Sequence, residues 1–152
     1  MEKKLLATFL ALLAWAVPVI CQTSDGDEKE AIQKVIQSAY VEGLQNEGDT
    51  LKINQGFHPS FVMFIPGKNG DLISYPLTTW KARVAADRAS GKLPRKKEEM
   101  ISVKFLDIKV TGNAAMAQFE FYAGTKLTFI DYQLLYKFGN DWKIVTKTFY
   151  KL

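Results

Sequence analysis

The last quarter of this 152-residue chain, Lys126 to Leu152, constrains its fold more than any other stretch. It reads as a β-hairpin: the arm KLTFIDYQLLYKF, the turn pair Gly139-Asn140, and the return arm DWKIVTKTFY. Alternation along the first arm sets Ile130, Tyr132, Leu134, Tyr136 and Phe138 on one face. Leu127, Phe129, Asp131, Gln133 and Leu135 fall on the other. Both faces are rich in apolar and aromatic side chains, so a helix layer must cover one and a second surface the other. Asp131 stands out as a carboxylate on a strand that otherwise reads as buried, and it is the first place to look for function.

The pairing of the two arms has two solutions. Phe138 opposite Trp142 puts Asp131 opposite Phe149, with Lys147 on the diagonal. Phe138 opposite Asp141 puts Asp131 opposite Thr148 and turns Lys147 to the other surface. A two-residue Gly-Asn turn leans toward the second, and both stay open.

Upstream, Asp27 and Glu28 open a helix whose apolar or small residues recur at Ala31, Ile32, Val35, Ile36, Ala39, Tyr40, Gly43 and Leu44, so one face is buried. Gly48-Asp49 ends it and caps a shorter helix, Thr50 to Gln55, stopped by Gly56. Phe61 to Ile65 and Leu72 to Tyr75 read as short strands around a Pro66-to-Gly70 turn, with His58 in the loop before them. Thr78-Thr79 cap a helix from Trp80 to Ala89, with Trp80 and Val84 on its inner face. Glu99 to Val110 is a long strand whose apolar phase switches from Ile101, Val103 and Phe105 to Leu106, Ile108 and Val110, the mark of a β-bulge and a bend. Ala114 to Ala123 follows, with Ala115, Ala117, Phe119 and Phe121 on one face. This order predicts an α+β domain in which helices pack on a strongly curved antiparallel sheet, leaving a cavity at the open end.

The N-terminus has the parts of a secretory signal: Lys3 and Lys4, an apolar run from Leu5 to Ile20, then the polar QTSDGDEKE. The run is too short for a membrane span. The expected division is a signal peptide over 1–21, a flexible lead-in over 22–27 and one domain over 28–152, with the mature protein periplasmic or secreted. Cleavage after Cys21 is favoured over lipidation of Cys21, because Ile20 is bulky for lipoprotein processing. Cys21 is the chain's one cysteine, so the folded domain has no disulfide and no thiol chemistry. His58, the lone histidine, has no second histidine at ligand spacing; neither a metal nor another cofactor is expected. The basic cluster Lys92 to Lys97 reads as a solvated loop, and without interleaved aromatic residues it gives no nucleic-acid surface.

The order of elements resembles the nuclear transport factor 2-like superfamily, which implies a cystatin-like cone of three N-terminal helices on the curved sheet. The closing pattern, with Asp131-Tyr132 and then Trp142, Lys143, Ile144, Val145 and Lys147, resembles an exported branch described as putative lumazine-binding. A more distant resemblance is to the ketosteroid isomerases of the same superfamily. There a helix tyrosine and a protonated aspartic acid on a late strand donate to an oxyanion. Tyr40 and Asp131 stand at those positions. The isomerase base, an aspartate before a proline, is replaced here by Ile65 ahead of Pro66, and isoleucine moves no proton.

The leading expectation is therefore an exported domain that binds a small apolar or aromatic molecule. The pocket is expected among Tyr40, Phe64, Trp80, Phe119, Phe129, Asp131, Gln133 and Phe149. The alternatives are a lyase, isomerase or hydrolase in which His58 or Asp131 supplies the missing chemistry, and a structural homodimer closed through the outer face of Tyr132, Leu134 and Tyr136. Asp131 itself has two readings: a desolvated carboxylic acid among Leu127, Phe129 and Phe119 that donates a hydrogen bond, or an ion-pair partner of Lys147.

Overall fold

The computed structural model describes residues 24–152; the expected signal peptide and Cys21 lie outside the described residues. The first helix, α1 (Asp25–Val35), begins ahead of Asp27 because Ser24 caps it. The Ser24 hydroxyl accepts from the Asp27 N–H (3.2 Å) and the Asp27 carboxylate accepts from the Ser24 N–H (3.1 Å). The helix then widens into a π-helical segment, Ile36–Glu47. The wider turn buries Val41 and Asn46 as well as the expected Ile36, Ala39, Tyr40, Gly43 and Leu44. Gly48, in the left-handed conformation at φ 67°, stops it. Asp49 then caps α2 (Thr50–Gly56), accepting from the N–H groups of Leu51 and Lys52.

The third helix, α3 (Leu77–Ala89), has no side-chain cap. The two threonines expected to cap it lie inside its first turn, because β2 runs straight to Pro76, which enters the helix without a loop.

Six strands form one curved, unclosed sheet: β1 (Phe57–Pro66), β2 (Leu72–Pro76), β3 (Ile101–Thr111), β4 (Ala114–Ala123), β5 (Lys126–Phe138) and β6 (Asp141–Lys151), in the order β2-β1-β6-β5-β4-β3. Every neighbouring pair is antiparallel except β1 and β6, which run parallel, a departure from the wholly antiparallel sheet expected. β1 also begins earlier than expected and takes in His58. Its ladder to β6 is broken between Phe57 and Val62, so Pro59 has no pairing N–H to supply there.

Bulges bend the sheet. The phase switch in β3 is a bulge at Leu106, as the sequence predicts. A second, at Thr128 in β5, sets Leu127 opposite Tyr122 and so takes it off the face it was expected to share with Asp131. A third, at Val145 in β6, decides the hairpin register: Phe138 pairs with Asp141 across the two-residue turn, yet beyond the bulge Asp131 pairs with Phe149. Each proposed register thus holds on one side of Val145.

The core lies between the helices and the concave face, where Ile32, Ile36, Leu44, Phe57, Phe61, Phe119, Leu135 and Ile144 are almost wholly buried. The burial of β4 alternates as predicted, with Ala115, Ala117, Phe119 and Phe121 inside. Polar groups clamp the helices to the sheet. Glu28 accepts from the indole N–H of Trp142 (2.6 Å) and from Lys137. The Asn46 amide donates to the Ile101 carbonyl (2.9 Å) and accepts from the Ile101 N–H (2.8 Å), completing the backbone bonding at the start of β3.

Candidate functional site

A cavity of about 530 Å³ opens between the π-helical segment, α3 and the concave face of the sheet. Its volume falls in the range of small-molecule sites. Tyr40 and Leu44 come from the π-helical segment, Trp80 and Val84 from α3, Met63 from β1, Phe121 from β4, Phe129 from β5, and Lys147 and Phe149 from β6. The aromatic walls brace one another: Tyr40 meets Trp80 edge-on at 6.1 Å between ring centroids, and Phe129 meets Phe121 at 5.5 Å and Phe149 at 5.2 Å.

Polar chemistry at the floor is concentrated in three residues. Lys147 is buried, with Nζ 2.8 Å from Asp131 Oδ1, 4.5 Å from the centre of the Phe149 ring and 5.6 Å from that of Tyr40. The Tyr40 hydroxyl donates to Asp131 Oδ2 at 2.7 Å. Burial raises the Asp131 carboxyl above its ordinary range against the opposing pull of Lys147 and Tyr40. Burial likewise lowers Lys147 from its ordinary value, with Asp131 opposing. Tyr40 is driven well above the usual phenol value, first by burial and then by the adjacent carboxylate. The two groups that the isomerase resemblance would aim at a shared oxyanion are aimed at each other, and Lys147 completes the cluster.

Of the residues expected at a pocket, Tyr40, Trp80, Phe129 and Phe149 line the cavity. Asp131 lies behind Lys147 and Tyr40, with no solvent exposure. Phe119 is equally buried, packed between Tyr40 and Phe105. Gln133 is fully enclosed opposite Lys147, and among the described residues its amide has no hydrogen-bond partner. Phe64 alternates to the opposite face of β1 from the cavity-lining Met63. His58 stacks on Phe138 beside the hairpin turn (5.0 Å, 20° between planes), and its Nδ1 accepts from the Ser60 N–H; it does not line the cavity. Ile65 packs against the core. Among the described residues, no group of three histidine, cysteine or acidic side chains is placed to hold a metal.

The sequence reading missed Phe121, though its place on the Phe119 face of β4 was the available signal. It left Lys147 undecided because register alone could not place it. It also read Lys92 to Lys97 simply as a solvated loop. Leu93 is in fact buried, and Lys92 and Arg95 reach the cavity mouth together with Arg83 and Asp87 from α3.

Residues 27–150 match the sequence family described as putative lumazine-binding. No curated protein matches the chain. Among solved structures, an NTF2-like protein of unknown function from Shewanella baltica OS155 is similar at a TM-score of 0.67 and 20% identity, over 86% of this chain and 98% of its own. A second, from Silicibacter pomeroyi DSS-3, gives 0.67 and 17% over 86% of this chain and all of its own (100%). A third, from Methylobacillus flagellatus KT, gives 0.61 and 20% over 86% and 96%. At these identities the likeness concerns the fold.

Proposed function

Because this chain belongs to the putative lumazine-binding family and has the nuclear transport factor 2-like fold, we propose that it is an exported domain that holds a small, largely aromatic or apolar molecule in its cavity. The observation that carries this reading is the cavity itself: about 530 Å³, open at one end and walled by Tyr40, Trp80, Phe121, Phe129 and Phe149. Export rests on the signal-like N-terminus. The isomerase-type alternative has less support. Ile65 stands at the base position, and Tyr40 and Asp131 spend their hydrogen bond on each other. Asp87, the carboxylate at the cavity mouth, is engaged by Arg83 and Lys92.

The test is native mass spectrometry of the protein purified gently from its host, with identification of anything released on denaturation. A stoichiometric aromatic or lipid-like molecule is the expected result. A protein that carries nothing, and whose Trp80 fluorescence no aromatic or apolar compound changes, would overturn the reading.

A homodimer is a second, compatible element of the proposal. On β5, Tyr132, Leu134, Tyr136 and Phe138 are 40–48% exposed in one row on the outer face. Leu134→Lys is expected to shift the sedimentation mass from dimer to monomer; a monomeric wild type would remove this element.

A further inference from the structure

We propose that the molecule held in the cavity is a flat aromatic carboxylate, with its ring system inside and its anion at the mouth on Arg95, flanked by Arg83 and Lys92. This rests on the binding reading above and adds the ligand's charge and orientation. The floor is closed to an anion, because its cation, Lys147, is already neutralised by Asp131 at 2.8 Å. A carboxylate pushed there would face a second carboxylate in a desolvated space.

The mouth is the reverse. Arg95 is fixed from two sides: its Nε–H donates to the Gln45 carbonyl (2.8 Å) and its main-chain N–H to the Asn46 carbonyl (2.8 Å). Among the described residues Arg95 has no ion-pair partner, so the remaining donors of its guanidinium are free to receive a planar anion. Arg83 and Lys92 share one carboxylate, Asp87, at the long distances of 3.7 and 3.5 Å. The rim therefore carries excess positive charge above walls that are aromatic. An anion held there keeps part of its hydration, which limits the cost of binding it.

The experiment compares 2-naphthoate with its neutral isostere, 2-naphthamide, by calorimetry at low salt and by the fluorescence of Trp80. The acid is expected to bind about tenfold tighter or better, the gain of one charge-assisted hydrogen bond. Arg95→Gln and, independently, Arg83→Gln are expected to erode that preference by weakening the acid more than the amide. Arg83 is highly exposed, so its variant tests the proposal even if Arg95→Gln disturbs the packing against the π-helical segment. Equal binding of acid and amide would overturn the anionic ligand and leave the binding reading standing. A preference for the acid that survives both substitutions would overturn the placement at the mouth. Failure of both probes to bind would overturn the aromatic carboxylate, and the released-ligand measurement would then decide the binding reading separately.

Discussion

Lys147 Nζ lies 2.8 Å from Asp131 Oδ1 across neighbouring strands, and the pair meets only because β6 carries an extra residue, Val145. Without the bulge, the two-residue turn would send Lys147 to the convex surface and leave Asp131 facing Thr148. The bulge thus places a cation on the concave side, where the fold has already buried an acid. Removing one member strands the other. Asp131→Asn is expected to destabilise the protein by about 3–5 kcal/mol at neutral pH, the usual cost of leaving a buried charge unpaired. Urea unfolding measures it directly, and a variant as stable as the wild type would show that the ion pair contributes nothing.

The complementary substitution gives a pH signature. In the wild type, burial already raises the Asp131 carboxyl above its ordinary value of 3.8 even though Lys147 and Tyr40 pull it down. Lys147→Met removes the larger of those opposing influences, so the folded-state value rises further. A raised carboxyl contributes stability that is full below the unfolded value of 3.8 and is lost as pH rises through the folded value. Lys147→Met should therefore approach wild-type stability as pH falls from 7 toward 4 and diverge again above it. Chemical denaturation at a series of pH values checks the sign, and a stability gap that is constant with pH would contradict it.

Much of this architecture was legible in the sequence because alternation survives wherever a strand has one covered face. β4 and the middle of β5 read correctly, residue by residue, as does the bend at Leu106. The phase switch in β3 is visible because large apolar side chains stand on both sides of it. The bulges at Thr128 and Val145 leave no such trace, since the surrounding residues are amphipathic or apolar on both faces. That is why the sequence could name Tyr40, Asp131 and Lys147 but could not decide whether Lys147 faces Asp131 on the concave side. Arg95 was hidden for a different reason. A basic residue in a basic loop looks solvated until the tertiary fold anchors it to Gln45 and Asn46.

Asn46 was likewise invisible, although it acts as a stretch of strand backbone for Ile101. Asn46→Ala leaves a buried carbonyl and a buried N–H of Ile101 without their side-chain partner. The expected loss is about 2–6 kcal/mol, since each of the two orphaned groups costs about 1–3 kcal/mol. Hydrogen exchange at the Ile101 amide should accelerate more than exchange elsewhere in β3. Uniform acceleration would indicate global destabilisation instead.

Gly56 lies where α2 packs tightly against the π-helical segment. A Cβ there would fall 2.2 Å from the Cβ of Ala39, a separation no packed pair adopts. Gly56→Ala is expected to cost about 1–3 kcal/mol as an overpacked contact. Because the clash is with one named methyl, Ala39→Gly in the same chain should recover part of the loss. A double-mutant cycle by thermal unfolding tests that coupling, and strict additivity would show that the strain lies elsewhere.

Tyr40 separates the two chemical readings of the floor. Its ring is part of the cavity wall, whereas its hydroxyl donates to Asp131 at 2.7 Å. Tyr40→Phe keeps the wall and deletes one hydrogen bond to a charged acceptor, so stability should fall by about 1.5–3 kcal/mol. The affinity for a neutral aromatic probe such as 2-naphthamide should stay unchanged, because the deleted group never faced the ligand. An oxyanion donor of the isomerase kind behaves in the opposite way: its loss spares the fold and weakens a phenolate probe such as 2-naphtholate by about tenfold or more, the value of a hydrogen bond to a charged oxygen. Titrating both probes into wild type and Tyr40→Phe, with unfolding curves for each protein, distinguishes the two roles. The geometry of Tyr40, Asp131 and Lys147 predicts the first pattern, in which the hydroxyl serves the ion pair and the ring serves the cavity.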